Sequence, residues 1–218
     1  MTETYETFVK KRRIRQFVMT IAFLIVLIGG WRYPLLGYFI PFCMLLGIGI
    51  GLVKGRKWCD WFCPRGSFCD VLLKPISPSR EIPQFFKGLP LRIGVLSFLM
   101  AMMTIQIINH WPDPYKIGMF FIILLTVTTI IGLILALIFH QRTWCYLCPI
   151  GSMANWVGRK RYPLRIDANR CPECKSCYEI CPIQVAPFKF KENGVVTDGD
   201  CLKCGLCVLD CPKKALSL

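Results

Sequence analysis

A chain of 218 residues is long enough for one ordinary domain or two small ones. Hydrophobic residues make up 54% of it and its mean hydropathy is +0.48, which excludes an ordinary soluble protein. The formal charge of +14 does not point to nucleic acid: the basic residues gather beside apolar segments, at Lys10-Lys11-Arg12-Arg13-Ile14-Arg15, Lys54-Gly55-Arg56-Lys57 and Arg159-Lys160-Arg161, as the positive-inside rule dictates.

The basic N-terminus leads into an apolar run without a small-residue cleavage site, so a retained helix is expected there. A bilayer needs roughly 20 apolar residues, and the chain offers such stretches at about 14–31, 34–53, 89–108 and 116–139. The first has the shortest apolar core. Gly29-Gly30-Trp31-Arg32-Tyr33-Pro34 turns the chain back, and Trp31, Tyr33, Trp111 and Tyr115 suit an interfacial belt. Lys and Arg fall in the N-terminal tail and in the segment from Lys54 to Arg92, while the two hairpin turns hold only Arg32 and Lys116. The N-terminus, central loop and C-terminus are therefore expected on the cytoplasmic side of a multi-pass protein of a prokaryotic inner membrane. In the central loop, Phe68–Leu73 predicts a short interfacial helix closed by Pro75 and Pro78. The expected organisation is a four-helix membrane domain over 1–160, all-α and built of two repeated hairpins, followed by a small α+β double-cluster ferredoxin domain over 161–218.

That second unit rests on cysteine spacing. Cys171-x-x-Cys174-x-x-Cys177-x-x-x-Cys181-Pro182 is repeated as Cys201-x-x-Cys204-x-x-Cys207-x-x-x-Cys211-Pro212. This is the bacterial ferredoxin run for [4Fe–4S] clusters, in which the fourth cysteine of each run ligates the other run's cluster. Cys171, Cys174, Cys177 and Cys211 are expected to hold one cluster, and Cys201, Cys204, Cys207 and Cys181 the other. Their chemistry is one-electron transfer. Thiolates of this kind belong in a reducing compartment. Between the runs, Phe188–Val196 predicts a β-hairpin turning at Asn193-Gly194.

The membrane part carries its own repeat. Arg56-Lys57-Trp58-Cys59-Asp60-Trp61-Phe62-Cys63-Pro64-Arg65-Gly66-Ser67 matches Arg142-Thr143-Trp144-Cys145-Tyr146-Leu147-Cys148-Pro149-Ile150-Gly151-Ser152 with one residue deleted. Each copy follows the second helix of a hairpin, so a pseudo-twofold axis along the membrane normal would bring Cys59, Cys63, Cys145 and Cys148 to one depth. Four such cysteines are open to three roles: a third metal centre or cluster, thiol–disulfide exchange, or helix termination beside a proline. Cys43 reads as a small buried hydrophobe. Cys69 reads as an interfacial thiol, with a spare ligand as the alternative.

The chain has two histidines, His110 in the outer turn and His140 at the inner end of the fourth helix. They lie on opposite sides, so a bis-His haem b within this chain is excluded. No nucleotide-binding fingerprint or flavin motif is present, and about 30 Å of hydrocarbon separates the clusters from the outer face. Electron flow across the bilayer would need quinone diffusion or another subunit.

The paired Cys-Pro elements and the double-cluster C-terminus resemble those of the membrane polyferredoxins. That family includes the quinol dehydrogenase subunit of periplasmic nitrate reduction (NapH type) and the membrane regulator of nitrous-oxide reductase (NosR type). The resemblance covers nearly the whole chain and is nearer to the compact type. The family's paired elements fall on Cys59–Pro64 and Cys145–Pro149, the second one residue short. The resemblance implies an electron-transfer subunit of an oxidoreductase, working between the quinone pool or a membrane partner and a redox complex. Its partners would be membrane lipid and other redox subunits such as a ferredoxin, cytochrome or reductase. The alternative is an assembly or regulatory factor that reduces or delivers a metal such as copper. A structural subunit whose clusters are one link in a wire is a third reading.

Overall fold

A computed structural model describes residues 2–218. Helix α1 spans Thr2–Gly29. The chain then passes through a 3-10 turn, Pro34–Tyr38, into α2, Phe39–Lys54. Two short helices follow, α3 (Lys57–Trp61) and α4 (Pro64–Phe68), the latter running on through a π-helical turn, Cys69–Leu73. The short α5 (Gln84–Lys87) leads to the long helices α6 (Leu89–Asn109) and α7 (Pro114–Ile138). Then come α8 (Trp144–Leu147) and α9 (Pro149–Gly158). The C-terminal part holds β1 (Arg165–Ile166), α10 (Ser176–Glu179), a 3-10 turn (Pro187–Phe190), α11 (Leu206–Asp210) and β2 (Leu216–Ser217).

Among the described residues, three segments are long and apolar enough to cross a membrane: Pro34–Lys54, Leu89–Asn109 and Pro114–Ile138. The stretch expected at about 14–31 falls on α1 up to Gly29, and α1 is not one of these three. Its uncharged part, Gln16–Gly29, rises about 21 Å at roughly 1.5 Å per residue, short of a hydrocarbon core of about 30 Å. The basic residues expected as a tail are helical instead. Tertiary contacts account for this: Arg12 reaches Asp60 and Asp70, Arg15 lies over Trp61 and Phe62, and Phe8 meets Trp61 edge-on.

Local chemistry sets the helix ends. Asp113 caps α7 by accepting from the backbone N–H groups of Tyr115 and Lys116, with Pro114 at the first helical position. Gly55 ends α2 with a positive φ (61°) that glycine adopts readily. The central helix starts earlier than the expected Phe68, because Pro64 is itself preorganised for a first helical turn. Its Cys69 is buried with Leu73 against Ala136 of α7.

In the C-terminal part β1 pairs antiparallel with β2, and Arg165 bridges to Val195. The β-hairpin expected over Phe188–Val196 does not form. Residues Pro187–Phe190 wind into a 3-10 turn, and the backbone groups of 194–196 pair with 164–166 instead: Ile166 N donates to Gly194 O and Val196 N to Leu164 O. Gly194 still takes a left-handed turn conformation (φ 64°). The membrane and C-terminal parts share one apolar core, in which Trp58, Cys59 and Tyr146 pack with Leu164, Ile183, Val185, Leu202 and Leu216.

Candidate metal centres

The two ferredoxin-type runs are laid out alike. Residues with positive φ recur thirty positions apart: Glu173 and Lys203, Lys175 and Gly205, Gln184 and Lys214. Left-handed residues between ordinary ones turn successive backbone N–H groups to one side, a concavity suited to anionic sulfur. The closing cysteines match too, since Cys181 Sγ accepts from Val185 N at 3.4 Å and Cys211 Sγ from Ala215 N at 3.3 Å. One cavity is walled by Cys171, Cys174, Cys177 and Cys211 with Ile166 and Phe188. A second is walled by Cys181, Cys201, Cys204 and Cys207 with Leu164 and Val185. Among the described residues, no three His, Cys, Asp or Glu side chains close on a point that could hold a single ion. The thiols ring cavities, which fits a cubane several ångströms across and soft-ligand iron–sulfur chemistry. Burial pushes the Cys181 thiol up to about 11 and raises Cys201 and Cys204 as well. Ligation of a cluster there would rely on the metal's own charge to remove the protons.

The membrane-edge cysteines lie at the starts of short helices. Cys63 caps α4, its Sγ accepting from Gly66 N at 3.3 Å, and Pro64 fills the first helical position. Cys148 precedes α9 with Pro149 in the same role. The two elements are cross-linked reciprocally. Arg56 Nη2 donates to the carbonyl of Cys145 at 2.9 Å, and Arg142 Nη1 donates to the carbonyl of Cys59 at 2.9 Å. A glycine makes room for each exchange. A Cβ on Gly66 would stand 2.7 Å from Cys59 O and 2.9 Å from Arg142 Nη1; on Gly151 it would stand 2.8 Å from Cys145 O and 2.9 Å from Arg56 Nη2. Burial raises the thiols of Cys59, Cys63 and Cys148, and charge on neighbours within this set would raise them further.

Carboxylates that the sequence reading passed over anchor this edge. Asp60 and Asp70 take Arg12 and Arg142. Asp200, next to Cys201, accepts from Arg56 Nη1 at 2.6 Å, from Arg92 at 2.9 and 2.6 Å and from Asn155 Nδ2 at 2.7 Å. Burial raises the Asp200 carboxyl, but Arg56, Arg92 and Asn155 outweigh it and hold it below the usual aspartate value. Tyr146, beside Cys145, is buried and donates to Ile183 O at 2.6 Å, two residues from Cys181. Tyr146 thus ties the element that carries Cys145 to the segment that carries Cys181. The one sequence signal for these residues was Arg56 and Arg142 in the same register of the repeat.

Cys43 is buried and lines an apolar cavity between the long helices, with Phe39, Met44, Leu99 and Met103. Cys63, Arg65, Trp144 and Cys148 also line it. His110 donates from Nδ1 to Gln106 O at 2.9 Å, and His140 is buried, accepting from Arg142 N at 3.2 Å.

Residues 36–83 and again 117–165 match a family described as a 4Fe-4S binding domain, and residues 170–216 match a 4Fe-4S dicluster domain. The ferredoxin-type protein NapH of Haemophilus influenzae is 30% identical over 74% of this chain and 62% of that protein. The putative electron transport protein YccM of Escherichia coli is 26% identical over 76% of this chain and 51% of its own length. The methylamine utilization ferredoxin-type protein MauN of Paracoccus denitrificans is 28% identical over 79% and 65%. The chain thus matches between about half and two thirds of the length of these relatives. No solved structure matches it.

Proposed function

Since the chain belongs to the NapH-type polyferredoxin family, we propose that it is a membrane-anchored electron-transfer subunit passing single electrons between the quinone pool, or a membrane partner, and a redox complex. The observation that carries the reading is the sorting of the eight ferredoxin cysteines into two cavities across the runs. Cys171, Cys174, Cys177 and Cys211 hold one [4Fe–4S] cluster, and Cys181, Cys201, Cys204 and Cys207 the other. When bound, these clusters supply the one-electron couples. The protein supplies a dry core, backbone N–H groups aimed at sulfur, and a short path from the membrane through Tyr146.

Cys59, Cys63, Cys145 and Cys148 form a third centre between two related hairpins. The doubled family match and the exchanged Arg56 and Arg142 bonds support that arrangement. In this reading α1 is a fourth span despite its short apolar part, with Ile14, Phe17, Val18, Ile21, Ile25 and Ile28 as its exposed lipid face. The termini and the C-terminal domain are cytoplasmic, and the membrane is a prokaryotic inner membrane. The quinone end rests on the likeness to the NapH-type proteins; an apolar cavity lined by Cys63, Arg65 and Cys148 is where it would be sought. Iron and sulfide analysis of the purified protein, with and without those four cysteines, tests the centres. Unchanged iron in the quadruple serine variant removes the third centre. Clusters that stay oxidised when quinol and the native partners are supplied remove the quinone link.

The second reading, reduction or delivery of a metal such as copper, draws on the same four thiols. Copper binding lost with them, while quinol-driven reduction persists, would favour it.

A further inference from the structure

Around the membrane-edge cysteines the buried charges do not balance. Arg12 and Arg142 face Asp60 and Asp70, two cations to two carboxylates. Arg56 and Arg92 share the single carboxylate of Asp200. Arg65 has no carboxylate partner among the described residues. Its Nη1 donates to Thr128 Oγ1 at 3.1 Å, its Nη2 to the Thr128 carbonyl, and its guanidinium lies 4.7 Å over the Trp144 ring. It reaches this position because α7 carries Gly132 there; a Cβ would stand 2.9 Å from Arg65 Nη2. Thr128 lies well inside α7, so a fixed cation has been carried toward the membrane interior beside Cys63 and Cys148. Charges in such a place need partners.

Five guanidinium groups stand against three carboxylates, which leaves two of these charges unmatched; the buried Lys203 lines the second cavity beside Cys201. Four thiolates on an iron–sulfur core of charge 2+ carry two negative charges. We propose that Arg65, with the half-neutralised Arg56, is the counter-charge of a dianionic four-thiolate centre at Cys59, Cys63, Cys145 and Cys148, and that Arg65 holds its reduction potential up. This rests on the reading of those four cysteines as a metal centre. One further electron adds one negative charge at the centre, and a nearby fixed cation stabilises that form. The guanidinium keeps its proton throughout, so no proton has to follow the electron. Trp144 and Thr128 hold the plane of the guanidinium, which makes those two the positioning residues.

The test uses full-length protein extracted in mild detergent, as wild type, Arg65→Met, Arg65→Lys and the quadruple Cys→Ser variant. Iron per chain and a redox titration followed by electron paramagnetic resonance are the readouts. The quadruple variant should lose one redox signal and its iron while the ferredoxin signals stay. That signal should move to lower potential in Arg65→Met and stay near the wild-type value in Arg65→Lys. Its loss in Arg65→Met alone also supports the counter-charge role, because the centre then fails to assemble. An unchanged potential in Arg65→Met, or equal loss of the signal in both Arg65 variants, overturns the role of Arg65 while leaving the centre in place. Zinc in place of iron at that edge overturns the setting of a potential. Unchanged iron in the quadruple variant overturns the centre itself.

Discussion

Asp200→Asn should loosen the C-terminal domain from the membrane part more than any other single conservative change. The carboxylate takes Arg56 on Oδ1 and Arg92 on both oxygens, and Asn155 shares Oδ1. An amide nitrogen at the Oδ2 position would face Arg92 Nη2, now 2.6 Å away, donor against donor. At the least one charge-assisted hydrogen bond is lost, about 1.5–3 kcal/mol. The larger effect is that two buried guanidinium groups keep no anion between them, and breaking a buried pair by removing one partner costs about 3–5 kcal/mol. That corresponds to a population of the undocked form raised roughly 10²- to 4 × 10³-fold, at about 1.4 kcal/mol per decade. Hydrogen exchange over residues 196–204, compared with wild type in detergent, reads this as lost protection. A change below tenfold would refute the view that Asp200 clasps the two parts. The pH dependence has a definite sign. The carboxyl is held below its usual value, so its contribution is complete above the ordinary aspartate value of about 3.9 and is lost as pH falls through the depressed one. Asp200→Asn should lack that acid-side loss.

Further outcomes follow from neighbouring contacts. Gly66→Ala and Gly151→Ala should each destabilise the membrane part by about 1–3 kcal/mol through overpacking; similar losses in thermal unfolding would reflect the matched approaches to Cys59 O and Cys145 O, and a large inequality would count against the paired geometry. Tyr146→Phe leaves the buried Ile183 carbonyl without its donor and should cost about 1–3 kcal/mol, read by thermal unfolding; no loss would place that carbonyl in contact with water. Burial lowers the His140 imidazole to about 4, against the opposing pull of Asp70 and with help from Arg142. The unfolded chain then binds more protons between roughly pH 6.5 and 4, so stability falls as pH drops through that window. His140→Gln should flatten the profile there, and an unchanged slope would assign it to another group.

The cysteine runs and the apolar lengths were readable because both are local codes. Cys171–Pro182 and Cys201–Pro212 each place three cysteines of one cavity and the closing cysteine of the other in one short run, and Leu89–Asn109 needs only composition. The start of the central helix was half legible, since Pro64 is a local signal while the burial of Cys69 depends on Ala136 in a distant helix. The false hairpin at 188–196 shows the same limit: its turn residue Gly194 was right, but its partner was 164–166 rather than 188–190. The helical state of Lys10–Arg15 was invisible because it depends on Asp60 and Asp70, far along the chain. The carboxylates that tie the site together share no spacing rule with the residues they bind.

The exchanged bonds between Arg56 and Cys145, and between Arg142 and Cys59, also bear on biogenesis. A nascent chain that has been synthesised past Gly66 still lacks the guanidinium that closes its own Cys59 loop, and that group arrives only with the second element. Neither half can be finished before the other exists. If the four cysteines hold a metal as proposed, its insertion would have to wait until translation has passed Gly151, and a polypeptide released at residue 141 should carry no metal at this edge.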